Sequence, residues 1–220
     1  VNVSSKFVDL TNLLLCNVEN DLPINQQMIT ATPVILKPGE YLALTEDKSI
    51  LKSDYNQTVE AYTREVKTLP ALNDDKGTIA IITTEGTFLD MFSYTKDLHS
   101  PFLENDEGVS LERISLGQPT QDANNWKSAS THSNYATPGY VNSQVRLSNT
   151  PNDGEVTVVP ELFEPVYGQP DFTEIQYQFG TSGHVANVKI VDTQGRVVKE
   201  LATNVLLGTS GVFRWDGDTD

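Results

Sequence analysis

Gly108-Val109-Ser110-Leu111-Glu112-Arg113-Ile114, Asn124-Asn125-Trp126-Lys127-Ser128-Ala129 and Ala136-Thr137-Pro138-Gly139-Tyr140-Val141-Asn142-Ser143 follow one another within residues 108–143, and together they read as a framework. The first run is a strand ending in a charged pair. Glu112 and Arg113 occupy adjacent positions and so point to opposite faces, and only one of them can face inward. The second brings Trp126, a ring large enough to fill a core and carrying an indole N–H that needs an acceptor. The third, through Pro138-Gly139, is a tight turn that closes a domain. The stretch holds no nucleophile, metal-ligand cluster or phosphate loop. It specifies a construction rather than a reaction.

Outward from this stretch, the apolar pattern has a period of two far more often than 3.6. Tyr41-Leu42-Ala43-Leu44-Thr45, Thr78-Ile79-Ala80-Ile81-Ile82-Thr83, Phe88-Leu89-Asp90-Met91-Phe92-Ser93-Tyr94 and Val185-Ala186-Asn187-Val188-Lys189-Ile190-Val191 are short, β-branched or aromatic, and bounded by turn residues. Turns are expected at Lys37-Pro38-Gly39, at 73–77, at Glu85-Gly86 and at Thr193-Gln194-Gly195, with Gly77 and Gly195 at positive φ. Helix is expected only as one short turn near 50–55, after Thr45-Glu46-Asp47, and another near 123–126. The fold class is all-β, with the many short strands and regular turns of β-sandwiches.

Composition narrows the function. The chain has 15 basic and 30 acidic residues and a formal net charge of -15, which excludes nucleic acid as a partner because phosphate binding needs clustered Lys and Arg. The acidity reads as a solvated surface, with Ca²⁺ binding as the alternative use of so many carboxylates. The single cysteine, Cys16, rules out an internal disulfide and, beside Leu13-Leu14-Leu15, reads as a small core residue. No apolar run approaches the roughly 20 residues that span a bilayer, so no membrane insertion is expected. Val1 is not a start methionine, and the chain reads as a mature product or a fragment.

A composition break falls at Ser148-Asn149-Thr150-Pro151-Asn152-Asp153-Gly154, polar and aperiodic, which reads as a linker over 145–154 between domains at 1–144 and 155–220. The first piece resembles the bacterial lamin-tail domain, an immunoglobulin-like sandwich. The resemblance rests on Ser5-Lys6-Phe7-Val8-Asp9-Leu10, Pro38-Gly39-Glu40-Tyr41, Leu69-Pro70 with Leu72-Asn73-Asp74, Ser110-Leu111-Glu112-Arg113, Asn125-Trp126 and Thr137-Pro138-Gly139, in that order. The second resembles the flagellar-hook-capping type of immunoglobulin-like domain found in secreted and surface proteins of Bacteroidetes-like bacteria. It is carried by 185–192, by Gly195-Arg196-Val197-Val198, by Leu206-Leu207-Gly208 and by Trp215-Asp216-Gly217. In that family an early loop is rich in Asp, Asn and Gly; here the loop at 163–171 has lost most of its acidic positions. Both resemblances imply sandwiches incomplete at the chain ends. A second polypeptide, or a remaining segment of the same protein, is therefore expected to pair beside Phe213-Arg214-Trp215.

The search for chemistry returns little. His99, His132 and His184 lie far apart with no ligand spacing, and no nucleophile elbow or phosphate loop is present. Asp216, Asp218 and Asp220 alternate like the first half of a Ca²⁺ loop but lack a later bidentate Glu, and Glu104-Asn105-Asp106-Glu107 is a second acidic loop. Tyr135, Tyr140 and Tyr167 are the candidates for a binding surface for glycan or peptide. Trp126, Arg113, Pro138, Gly139, Gly195 and Trp215 are read as structural. No cofactor is expected. The reading that follows is a non-catalytic spacer, scaffold or adhesion module of a larger exported bacterial surface protein. The alternative is a glycan- or peptide-binding module attached to an enzyme domain elsewhere in the protein.

Overall fold

The structure is a computed structural model that describes residues 1–145, 154–165 and 171–220. Fifteen strands and one α-helix occupy the described residues. The strands of the N-terminal part are β1 (Val8–Asp9), β2 (Leu13–Glu19), β3 (Leu22–Met28), β4 (Ile35–Leu36), β5 (Ala43–Thr45), β6 (Thr63–Glu65), β7 (Lys76–Thr83), β8 (Phe88–Thr95), β9 (Leu111–Arg113) and β10 (Trp126–Ser128), with α1 (Lys48–Asp54) after β5. The C-terminal part holds β11 (Glu155–Val159), β12 (Thr173–Gln178), β13 (Val185–Val191), β14 (Val197–Leu206) and β15 (Ser210–Trp215). The class is all-β, and each sheet draws its strands from one side of residues 146–153.

The central sheet runs β3-β2-β7-β8, antiparallel throughout. Its two middle strands are apolar on both faces. Leu15 and Ile81 pack with Leu10, Leu13 and Ile29 on one side, while Leu14 and Val18 pack with Cys16, Ala80 and Ile82 on the other. A two-sided strand has no polar face to alternate with, which is why Leu13-Leu14-Leu15 and Ile79-Ala80-Ile81-Ile82 are continuous apolar runs. Each such buried Leu or Ile contributes about 1.5–3 kcal/mol. Cys16 is fully buried and its thiol, pushed up in pKa by burial, points at the Ala80 carbonyl 3.6 Å away. The β2–β3 hairpin turns on Asn20 and Asp21, both at positive φ (50° and 62°), the pair that a two-residue turn of this hand requires. Two N–H groups of edge strand β8 are taken by side chains, Met91 N–H by Asp90 and Ser93 N–H by Gln121, both at 3.0 Å. This blunts an edge that would otherwise template another strand.

β5 and β6 form the one parallel pair in the described residues, and the segment holding α1 supplies the crossover it needs. The short helix expected near 50–55 begins earlier, at Lys48, because Asp47 caps it. Its carboxylate accepts the Ser49 and Ile50 N–H groups at 2.7 and 3.2 Å. The second expected turn is a 3₁₀ turn at Ala123–Asn125, capped by Asp122. Within Ser5-Lys6-Phe7-Val8-Asp9-Leu10 only Val8–Asp9 is strand, since Asp9 accepts the Thr11 N–H and starts a 3₁₀ turn.

In the C-terminal part β11-β12-β15 form one sheet and β13-β14 another. Alternation puts Val156, Val158, Ile175, Tyr177, Phe213 and Trp215 on one face of the first. Residues 213–215 are paired on one edge by β12, with Ile175 opposite Phe213 and Thr173 opposite Trp215. β15 ends the strand order, so its other edge has no strand partner among the described residues. Gly195 takes φ +80° in the β13–β14 turn as expected, beneath Asp192, which accepts the Gln194 and Arg196 N–H groups at 2.9 Å. Gly77 corrects the expectation. It lies inside β7 rather than at a positive-φ turn, and it is glycine because the Tyr94 ring lies over it, where a Cβ would come within 2.6 Å of the phenol oxygen.

Two glycines separate backbone strain from crowding. Gly195 has φ +80° and open space where a Cβ would go; Gly139 has φ +73° and a Cβ there would stand 2.9 Å from the Tyr62 carbonyl oxygen. Gly195→Ala is expected to cost about 1–2 kcal/mol, the left-handed penalty alone. Gly139→Ala adds a backbone collision of about 1–3 kcal/mol more. Urea denaturation of the two variants is the measurement; equal losses would show that Gly139 is not held against Tyr62.

Candidate functional site

Of the charged pair in β9, Glu112 faces inward. It is 2% exposed, in phase with buried Ile114. Its carboxylate accepts three hydrogen bonds: from the Thr137 hydroxyl at 2.5 Å, the Ser143 hydroxyl at 2.6 Å and the Gln144 N–H at 3.1 Å. A buried carboxylate is costly unless its lone pairs are satisfied, and short hydrogen bonds to an acceptor of this kind are among the stronger ones in proteins. The Pro138-Gly139 turn makes the convergence possible by bringing the chain back so that 137, 143 and 144 reach one carboxyl group. Gly139 lets that turn press on the 59–62 segment, where Val59 N–H donates to the Pro138 carbonyl at 3.2 Å. Arg113 turns the other way and gives its Nη2 to the carbonyls of Leu116 and Gln118. Its Nε is the one buried side-chain nitrogen or oxygen without a hydrogen-bond partner among the described residues.

The same carboxylate orders the seam between the two parts of the chain. Ser143, held by Glu112, accepts the Ser130 N–H on its hydroxyl at 2.9 Å and the Thr209 N–H on its carbonyl at 3.0 Å. Gln144 is fully buried, and its amide donates to the Ser128 carbonyl at 2.9 Å and to the Leu207 carbonyl at 3.1 Å. The Thr131 hydroxyl donates to the Leu206 carbonyl at 2.8 Å. Gly208 admits this approach, since a Cβ there would sit 2.8 Å from the Ser143 carbonyl. Beside these bonds the His132 ring meets Phe213 edge-on at 4.6 Å and Tyr177 at 5.7 Å. Burial pushes the Tyr177 phenol up to about 12, against hydrogen bonds involving Gly208 and Ser130. Burial pushes His132 down, opposed by a bond to the Val212 backbone. Of the linker expected at 145–154, residues 146–153 lie outside the described residues; immediately before them the chain is a buried, hydrogen-bonded seam.

The remaining candidates are scattered. Trp126 does not fill a core, as expected of it, but is half-buried: its ring stacks on Phe92 at 3.8 Å and its indole donates to the Thr120 carbonyl at 2.8 Å. Its register is opposite Arg113 in the two-stranded β9–β10 ribbon, which sets the ring against Phe92 of β8. Trp215 is half-buried against Phe163, with its N–H on the Asp218 carbonyl. Asp216, Asp218 and Asp220 do not converge. Arg214 takes Asp216, and Lys199 takes Asp218 at 2.8 Å and Asp220 at 3.0 Å. Among the described residues no group of three or more His, Cys, Asp or Glu is placed to hold a metal ion. Tyr135 and Tyr140 line different grooves, and Tyr167 lies outside the described residues. His99 bonds Ser128 and His184 bonds Thr181, each apart from the other histidines. Nothing in the sequence marks Gln144, one residue past the framework stretch, as part of this network. The phase of Ile114 is the signal that would have turned Glu112 inward.

Glu112→Ala is expected to cost about 3–5 kcal/mol, because it leaves the Gln144 N–H and two hydroxyls without their acceptor. Glu112→Gln keeps an acceptor and should lose less; chemical denaturation compares them, and a loss below about 1 kcal/mol for Glu112→Ala would remove the carboxylate from the framework. The histidines set a pH dependence. His99 and His132 are both lowered, chiefly by burial, with the Asp106 charge opposing at His99 and the Val212 bond opposing at His132. The unfolded chain therefore binds more protons than the folded one. Their stabilisation is fully present above the ordinary histidine value of 6.5 and is lost as pH falls through it toward the depressed folded values. Denaturation midpoints should fall between pH 8 and 5, less steeply in His132→Phe; a flat profile would contradict this.

No helix in the described residues is long and apolar enough to cross a membrane. Compared with protein-family models, with curated proteins and with solved structures, the chain matches none.

Proposed function

We propose that this chain is a non-catalytic structural and interaction module of a larger exported bacterial surface protein, built from two immunoglobulin-like sandwiches, the first of lamin-tail type and the second of hook-capping type. The observation that carries this reading is how the reactive-looking groups are used. The buried Glu112 carboxylate and the Thr137 and Ser143 hydroxyls, polar residues of the framework motifs, are spent on one another at 2.5–2.6 Å. A carboxylate engaged in this way holds parts together and has no open side for a substrate. The hydrogen-bonded seam supports a spacer role, since it transmits orientation from one part of the chain to the other. The strand at 213–215, with one edge unpaired among the described residues, is the place for another protein, or another segment of the same one, to add.

Protease treatment of intact source cells is the test, with peptides of this chain identified by mass spectrometry. Release of peptides from 1–220 into the medium, without cell lysis, is the expected result. Recovery from the cytoplasmic fraction alone would overturn export, and turnover of a glycan or ester panel by the purified chain would overturn the non-catalytic reading.

A further inference from the structure

Of the three histidines, His132 is the one whose ring contacts the other part of the chain among the described residues. It belongs to the 3₁₀ turn at Thr131–Ser133, which is capped by the buried Ser130. Its ring stands against two neighbouring strands of the C-terminal part. Phe213 of β15 meets it edge-on at 4.6 Å and 82°, and Tyr177 of β12 at 5.7 Å and 70°, with the phenol oxygen 3.4 Å from Nδ1. The turn is also anchored from its own side, since the Gln57 amide donates to the His132 carbonyl at 3.0 Å. A fixed turn of one part thus wedges an imidazole into the other.

The wedge suits a neutral ring and gives a charged one no counter-ion. The groups facing it from β12 and β15 are Tyr177, Phe213 and the Val212 backbone, and the titratable one, Tyr177, is a phenol held up to about 12. On its other side, the groove it shares with Gln57, Ser130, Thr137, Tyr140 and Thr209 is lined by no Asp, Glu, Lys or Arg. Glu112 reaches the seam only through Ser143 and Gln144, and its oxygens are taken by Thr137, Ser143 and Gln144. Desolvating a charge without a partner is costly, and burial already holds the His132 pKa below its ordinary value. The other bonds of the seam are neutral: Thr131 to Leu206, Gln144 to Leu207 and Thr209 to Ser143. None of them joins two strands of one sheet, because each sheet draws its strands from one side of residues 146–153. The seam can therefore part while the sheets on both sides stay paired.

We propose that His132 is a pH-operated latch: the neutral ring locks the two parts in one orientation, and its protonation in mildly acidic surroundings releases the seam while each part stays folded. The released state binds one proton more than the locked one. Locking is therefore fully present above pH 6.5, the ordinary histidine value, and is lost as pH falls toward the depressed value of the locked ring. In that window the ratio of released to locked molecules rises by up to about tenfold for each pH unit, the limit for a single proton. The latch goes beyond the module reading above, which a spacer of constant stiffness would also satisfy, and it can fail while export and lack of catalysis stand.

Energy transfer between dyes on Glu85→Cys and Gln194→Cys, exposed turn positions in different parts of the chain, reads the orientation, and Cys16 is fully buried away from the dyes. The expected result is one narrow distance distribution at pH 8 that broadens reversibly below pH 6.5, with an unchanged far-ultraviolet circular dichroism spectrum. The His132 ring, followed by NMR of its Cε1–H, should titrate with the same midpoint. His132→Phe keeps a ring against Tyr177 and Phe213 but cannot take a proton, and its distribution should stay narrow down to pH 5. A parent distribution already broad at pH 8, or still narrow at pH 5, would overturn the latch. So would equal broadening in His132→Phe, which would move the proton to another group, and so would broadening that coincides with loss of the dichroism signal, which is unfolding. If His132→Phe does not fold, the ring titration decides: a midpoint more than about one pH unit from that of the broadening overturns the assignment to His132.

Discussion

The buried carboxylate of Glu112 is the constraint on which the rest of this structure hangs. Burying it costs several kcal/mol unless its oxygens are matched by donors, and the chain supplies those donors from positions up to 32 residues away. Thr137, Ser143 and Gln144 must therefore arrive together, and this fixes the path between them. That path is the Pro138-Gly139 turn, pressed against the 59–62 segment at a distance that only glycine permits. An apolar residue at 112 could fill the same volume, but it would not dictate which three groups come to it. The carboxylate contributes specificity of arrangement more than net stability.

This constraint extends across the seam through two residues. Ser143 and Gln144 each have one side occupied by Glu112 and another by the C-terminal part, at Thr209 and at Leu207. Side-chain and backbone groups fixed by one network are pre-organised for the next, so the seam loses little additional entropy on forming. The aromatic contacts of His132 with Phe213 and Tyr177 add apolar area beside the hydrogen bonds. Tyr177 is itself located by Gly211, over which its ring lies so closely that a Cβ would come within 2.2 Å of the phenol oxygen. Tyr94 over Gly77 repeats the arrangement in the first part of the chain. In both, an aromatic side chain covers the gap left by a glycine directly across the ladder, and the glycine selects the ring's rotamer.

The sequence revealed these features unequally, for physical reasons. Strands β7, β8 and β13 were legible because β-branched and aromatic residues alternate or run between clear turns. The helix at 48–54 was legible because Asp47 caps it. The β2–β3 hairpin was harder to see, since Asn20-Asp21 makes its turn without the glycine that usually marks one. Gly77 misled because a glycine beside Asn73-Asp74-Asp75 has the composition of a turn, while its actual reason, the Tyr94 ring, is 17 residues further on. The Asp216, Asp218 and Asp220 series has ligand-like spacing, but Arg214, two residues upstream, takes Asp216, and Lys199 comes from the neighbouring strand β14 to Asp218 and Asp220; spacing alone carries no information about the lysine.

Arg113 shows how the two halves of the charged pair divide the work. Once Glu112 takes the interior, strand alternation sends Arg113 to the opposite face, where it closes the 116–118 loop. Its guanidinium is planar with donors on several edges, and two protein carbonyls occupy only one nitrogen of it. A lysine could neutralise the same region but lacks the planar spread of donors that a guanidinium brings. The framework carboxylate thus sets the phase of β9, that phase positions the arginine, and the arginine holds the 116–118 loop.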